Sequence, residues 1–246
     1  MTLEIFVVVC AWFAGGFISG VSGIGGAMFA VPIAAMFIPI QQVIVLSCIL
    51  NLAMDGGLTL LHFRFCRFKA LLPMLAGTIP GSVAGLFILQ MVSGQILEGI
   101  VGVLLLVFLL WQQFFRIRKK GKESWQIGGL AGCVAGIFGT AISFDGPPVA
   151  AYGLYAGWQP RVFLGTLGVF FILRGIFACT LQAYSGLYSP DVIQYALYGF
   201  PATLLGTFCA FPVTKKVNPE IFNRILKIII AIAAAACIYR ACHNSF

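Results

Sequence analysis

The sequence predicts an all-α integral membrane protein, with about 8–10 membrane segments in two inverted-topology repeats, each carrying a broken or short helical hairpin. Three observations lead there. Of 246 residues, 61% are hydrophobic and 9% charged, with a mean hydropathy of +1.02, a composition that cannot give a wettable globule. The apolar residues fall into runs of roughly 20, the length that crosses a hydrocarbon core of about 30 Å. The spacing of glycine and proline in the first half recurs in the second.

Ten apolar elements follow in order, at 4–20, 25–38, 41–63, 70–91, 95–115, 125–141, 146–157, 160–183, 190–213 and 219–240. No basic region precedes the first, so Met1-Thr2-Leu3-Glu4 reads as the start of a retained helix rather than of a cleaved signal. Between Gly15 and Pro32 the chain places six glycines and two serines in an otherwise apolar run. Unpaired backbone groups cost several kcal/mol each in lipid, so a break at membrane depth must be buried in protein or line a cavity. The second and seventh elements are short, at about 21 and 18 Å of helix, and neither comfortably spans the hydrocarbon.

Basic residues cluster at Arg64, Arg67 and Lys69, at Arg116 to Lys122, and at Lys215 and Lys216 with Arg224 and Lys227. The positive-inside rule puts all three clusters on the cytoplasmic face and both termini outside. A formal charge of +8 carried in such loops is topology information, and nucleic-acid binding is disfavoured. The eight cysteines form no C-x-x-C pair and read as small core hydrophobes. Cys242-His243 alone is too little for a metal site, so no cofactor or metal is expected.

Adding 116 maps Gly16, Gly20, Gly23 and Pro32 onto Gly132, Gly136, Gly139 and Pro148; adding 121 maps Pro80 onto Pro201. The repeats are therefore 1–120 and 121–246, forming one membrane domain. Five elements per repeat, an odd number, start the second on the opposite side, which is the plan of many secondary transporters. The two broken hairpins then enter from opposite faces and meet near the midplane.

Helix breaks expose N–H groups at positive dipole ends, which suit an anion better than a cation. The candidate binding residues are Ser22, Gly23, Gly25 and Gly26 in the first break and Ser143 in the second, with Ser47, Asn51, Thr166 and Arg174 on the two long helices. Ser47, Asn51 and Asp55 form a stripe at four-residue spacing, matched by Thr166, Phe170 and Arg174. The stripe reads as cavity-facing or as interhelical polar glue. Intramembrane charges are costly and should face protein or water. Arg174 is expected to attract the anion, and Asp55 or Asp145 to carry a coupling proton. Asp55 and Arg174 are 119 residues apart at matching places, so an ion pair between them is the structural alternative.

The run Ser19-Gly20-Val21-Ser22-Gly23-Ile24-Gly25-Gly26 followed by Val31-Pro32, the second run Gly132 to Gly139 with Gly146-Pro147-Pro148, and Lys215 to Leu226 resemble the sulfite exporter TauE/SafE family of membrane permeases. The chain departs from the family's glycine pattern at Ala27 and at Ala141-Ile142. The resemblance implies a secondary transporter of a small anion, commonly a sulfur oxyanion such as sulfite or an organosulfonate, in a bacterial-type inner membrane. The implied partners are the substrate anion, the lipid bilayer and protons as coupling ion; oligomeric state stays open.

A passive anion channel is the main rival. An intramembrane serine protease is a weaker one, since Gly20-Val21-Ser22-Gly23 has the short G-x-S-G form but the only histidines are His62 and His243. No catalytic residue is expected.

Overall fold

The computed structural model describes residues 3–114, 121–214 and 219–243. Ten α-helices run in order: α1 (Leu3–Ser22), α2 (Gly26–Ala35), α3 (Ile40–His62), α4 (Phe68–Met91), α5 (Gly94–Phe114), α6 (Trp125–Ile142), α7 (Gly146–Tyr155), α8 (Pro160–Tyr184), α9 (Pro190–Thr214) and α10 (Pro219–His243). A 3₁₀ turn at Phe63–Phe65 joins α3 to α4. Each expected element is present, and no strand occurs among the described residues. Seven helices, α1, α3, α4, α5, α6, α8 and α9, are long and apolar enough to cross a membrane. The half-length α2 and α7, of ten residues each, measure about 15 Å and are held inside the bundle.

Many large apolar side chains face outward, among them Leu60, Leu72, Phe87, Leu110, Leu197 and Ile232. In water this would be an aggregation surface; against acyl chains it is the expected exterior. The interior is held by close helix approach. A Cβ on Gly132 of α6 would lie 1.9 Å from the Met74 carbonyl oxygen of α4, and one on Gly206 of α9 would lie 2.0 Å from that of Phe13 on α1. Backbones can approach this closely only where a side chain is missing. Of the eight cysteines, all of them free thiols, Cys48 and Cys237 are buried as expected, whereas Cys10, Cys209 and Cys242 face outward.

The most intimate partners are α4 with α6 and α1 with α9, followed by α3 with α8 and α5 with α10. Exchanging the first five helices for the last five leaves this scheme unchanged. The elements also fix the register between the halves, and it differs from the expected 116. From α1 to α6, α2 to α7 and α3 to α8 the offset is 120: Ser22 matches Ile142, Gly26–Ala35 matches Gly146–Tyr155, and Ile40 matches Pro160. Packing agrees, because Gly16 sits on Thr203 of α9 as Gly136 sits on Thr78 of α4. The partner of Gly16 is therefore Gly136 rather than Gly132, and Pro32 and Pro148 do not correspond.

The loops gather at two poles. At one, Tyr195 donates to Glu4 at 2.7 Å, Gln95 donates to the Ala241 carbonyl at 2.7 Å, and Arg240 pairs with Glu98 at 3.3 Å. At the other, Arg67 pairs with Glu123 at 3.0 Å, Trp158 donates to the same carboxylate at 2.7 Å, and the Gly121 N–H donates to the Tyr155 carbonyl at 2.8 Å. Arg64, Lys69 and Arg161 share this second pole by their positions on η1, α4 and α8. The clusters around 116–120 and 215–216 lie outside the described residues.

Candidate functional site

The α1–α2 and α6–α7 hairpins break at equivalent places and face one another. In the first, Gly23 has φ +77° and Gly25 φ +105°, left-handed values that a side chain disfavours. In the second, Ser143 closes α6 at φ 59° and ψ 37°, with its N–H on the Gly139 carbonyl at 3.2 Å. The tips touch: a Cβ on Gly146 would meet Ile24 at 2.7 Å. Between them lies a cavity of ≈ 30 Å³ whose lining includes Ser19, Gly25, Asn51, Asp55, Ser143 and Asp145. Such a space holds about one or two waters, so an oxyanion requires the hairpins to part.

The two sides differ chemically. At the start of α2 the N–H groups of Gly26, Ala27 and Met28 have no intrahelical acceptor, and all three residues border the cavity. At the start of α7 the corresponding run is Gly146-Pro147-Pro148, and proline carries no N–H. Backbone donors for an anion therefore come from α2, while α7 presents the carboxylate of Asp145, its N-cap residue.

Asp145 is bonded to Arg174 of α8 at 2.6 Å, and the arginine side chain is 1% exposed. The structural alternative, an ion pair between Arg174 and Asp55, is not what the structure has. Under the 120-residue register Arg174 matches Met54, and its guanidinium projects toward the α7 tip. Asp55 borders the cavity and makes no ion pair among the described residues. The Arg174 Nε and Nη1 and the Asn51 Oδ1 are buried without a hydrogen-bond partner among the described residues. Two N–H-bearing nitrogens of a buried cation are thereby left over next to Asp145, which itself borders the cavity.

Ser47 lies behind the cavity. Its hydroxyl donates to the Ile44 carbonyl at 2.7 Å and shares a short hydrogen bond with the Ser143 hydroxyl, tying α3 to the second break. Thr166 stands apart: it accepts the Arg67 N–H at 3.0 Å and so anchors the α3–α4 connection. Eight residues, or about 12 Å of helix, separate it from Arg174, and it does not border the cavity. Phe170 of the same stripe is core, edge-on to Phe171. Gly23 and Gly26 border the cavity with Gly25. Ser22 closes α1, and its side chain lies outside the described residues.

Sequence reasoning missed Ser19, which borders the cavity three residues before Ser22, and the buried Gln182. Ser19 stood inside the glycine-rich run; Gln182 had a signal too, as an uncharged polar residue near the end of an apolar helix.

Replacing Gly25 with alanine is expected to strain the tip by about 1–3 kcal/mol, because φ is +105° while no atom lies within 4 Å of the added methyl. The cost is conformational rather than steric, so the protein should still be recovered folded with its anion flux reduced. Size-exclusion recovery read beside flux in liposomes checks this.

Apolar helices of membrane length, folded around a polar cavity where two half-length helices break, define an integral membrane protein. The chain belongs to the sulfite exporter TauE/SafE family, whose model matches residues 8–237. That family is one of membrane transporters for sulfite and related sulfur anions. No curated protein and no solved structure matches the chain closely enough to be compared with it.

Proposed function

We propose that the protein is a secondary carrier that moves a sulfur oxyanion or small organosulfonate, such as sulfite, across a bacterial-type inner membrane with proton coupling. The observation that carries this reading is the cavity bordered both by the first residues of α2, whose N–H groups have no intrahelical acceptor, and by Asp145, the ion-pair partner of the buried Arg174. Donors at a helix N-terminus bind an anion without placing a further formal charge in the membrane. In the closed state Asp145 neutralises Arg174. Protonating Asp145 releases the guanidinium to the anion, so one proton and one anion arrive together; Asp55, beside them, is the second acceptor.

The two repeats, 1–120 and 121–246, are read as inverted, with the pole of Arg64, Arg67 and Lys69 in the cytoplasm. Support comes from the helix pairing that survives exchange of the halves, and from the gathering of the described basic loops at one pole.

Purified protein in liposomes should move sulfite or a close relative among sulfate, thiosulfate and small sulfonates, saturably and faster under a pH gradient. Flux that follows only the anion's electrochemical gradient, without saturation, would make it a channel instead. Flux of none of these anions would remove the substrate class.

A further inference from the structure

Above the Asp145–Arg174 pair runs a row of buried polar groups that the proposed function leaves unused. The Cys48 sulfur of α3 lies against the Arg174 guanidinium. Gln182 of α8 donates from Nε2 to Cys48 Sγ at 3.3 Å, and its Oε1 accepts from the Tyr188 hydroxyl at 3.3 Å. Tyr188, in the α8–α9 loop, also donates to the Cys179 carbonyl at 3.2 Å. Both Cys48 and Gln182 are fully buried. Arg174, Ala178 and Gln182 follow at four-residue steps, so they share one face of α8.

Beyond this row, at the pole of the α8–α9 loop, a second cavity of ≈ 370 Å³ opens, lined by Gln41, Gln42, Gln90 and Ser189 with Val45 and Leu187. Val45, which lines the vestibule, lies one turn before Cys48 on α3, and Asn51, which lines the central cavity, lies one turn after it, so Cys48 stands between the two along that helix. Interhelical glue accounts for a bond between Gln182 and Cys48. It does not account for a row with unpartnered guanidinium nitrogens at its inner end and a glutamine-lined vestibule at its outer end.

We propose that this row is the closed outer half of the anion's path, with Gln182 as a plug that Tyr188 holds in place. The inference rests on the carrier reading above. The vestibule amides offer N–H donors to an oxyanion without trapping it as a fixed cation does. The Gln182 amide then passes it to Arg174, and withdrawal of Tyr188 frees that amide to turn.

The test uses the full chain in liposomes, with Cys48 kept and the other cysteines changed to alanine, beside a matching protein that keeps only Cys237. Cys237 is equally secluded, at 4% exposure, but lies in the core between α5 and α10. The anionic, lipid-insoluble thiol reagent 2-sulfonatoethyl methanethiosulfonate is added to each. Cys48 should react about tenfold faster than Cys237, since a path opens where a core does not. Tyr188→Phe, which removes one hydrogen bond from the plug, should speed the Cys48 reaction a further roughly fivefold. Equal rates at Cys48 and Cys237, or no change with Tyr188→Phe, would overturn the path. If both rates behave as expected while no sulfur anion is carried, the path stands and the substrate assignment falls. If flux is normal while Cys48 stays unreactive, the carrier stands and this path falls.

Discussion

Arg174→Ala is expected to destabilise the fold by about 3–5 kcal/mol and to abolish anion flux, because it leaves Asp145 buried without its cation. At 1% exposure the guanidinium has no solvent to fall back on, and the 2.6 Å bond to Asp145 is its one ion pair among the described residues. Removing both charges separates stability from transport. Arg174→Leu with Asp145→Leu should recover most of the lost stability, since an apolar pair of suitable size often replaces a buried ion pair without loss. It should not recover flux. Thermal unfolding in detergent read beside liposome flux distinguishes the two, and normal flux in the double variant would reduce the pair to a structural role. Asp145→Asn, which resembles the protonated carboxyl, should bind anion but respond less to a pH gradient, the remaining response resting with Asp55.

Gly132→Val should prevent folding, whereas Gly129→Ala one turn earlier should be tolerated. At Gly132 the first side-chain carbon already lies 1.9 Å from the Met74 carbonyl oxygen, so α4 and α6 must separate along their most intimate contact. Overpacking of a core costs typically about 1–3 kcal/mol and sometimes more. Here the obstacle is backbone, which cannot rotate aside. At Gly129 the nearest atom, the Pro73 carbonyl oxygen, is 3.6 Å away, an ordinary contact. There alanine should be neutral or favourable by up to about 1 kcal/mol through its helix propensity. Yield of monodisperse protein in detergent reads both, and equal yields would show that the α4–α6 contact does not limit folding.

The helices were legible because lipid makes hydrophobicity and length almost sufficient, and the breaks because glycines crowd together between Gly15 and Gly26, whereas glycines and prolines spread along α4, α6 and α9 leave those helices whole. The register between halves was not. Its error, 116 instead of 120, is one helical turn, and glycines at Gly16 and Gly20 or at Gly132 and Gly136 look alike under a shift of four. A separate offset of 119, one residue from 120, made Asp55 the apparent match of Arg174. The true partner, Asp145, lies on the neighbouring hairpin, and the rotation of a long helix about its own axis leaves no trace in spacing. The place of Thr166 away from the cavity was hidden for a related reason: a hydroxyl on a polar stripe looks the same whether it faces a solute or caps a neighbouring turn. The link between Ser47 and Ser143, 96 residues apart, had no local signal at all.

Pro147 and Pro148 carry a consequence for direction. The halves share one scheme of helix pairing, yet in the carrier proposed above one hairpin would supply the hydrogens that grip an anion and the other the proton acceptor. A machine with equal halves would run alike both ways. The proposed carrier would hold its cargo by the hairpin rooted at one pole and its proton by the hairpin rooted at the other, so loading from the two compartments would pass through unequal affinities. Inward and outward transport should therefore differ in half-saturation even at equal driving force, a polarity written into two missing amide hydrogens.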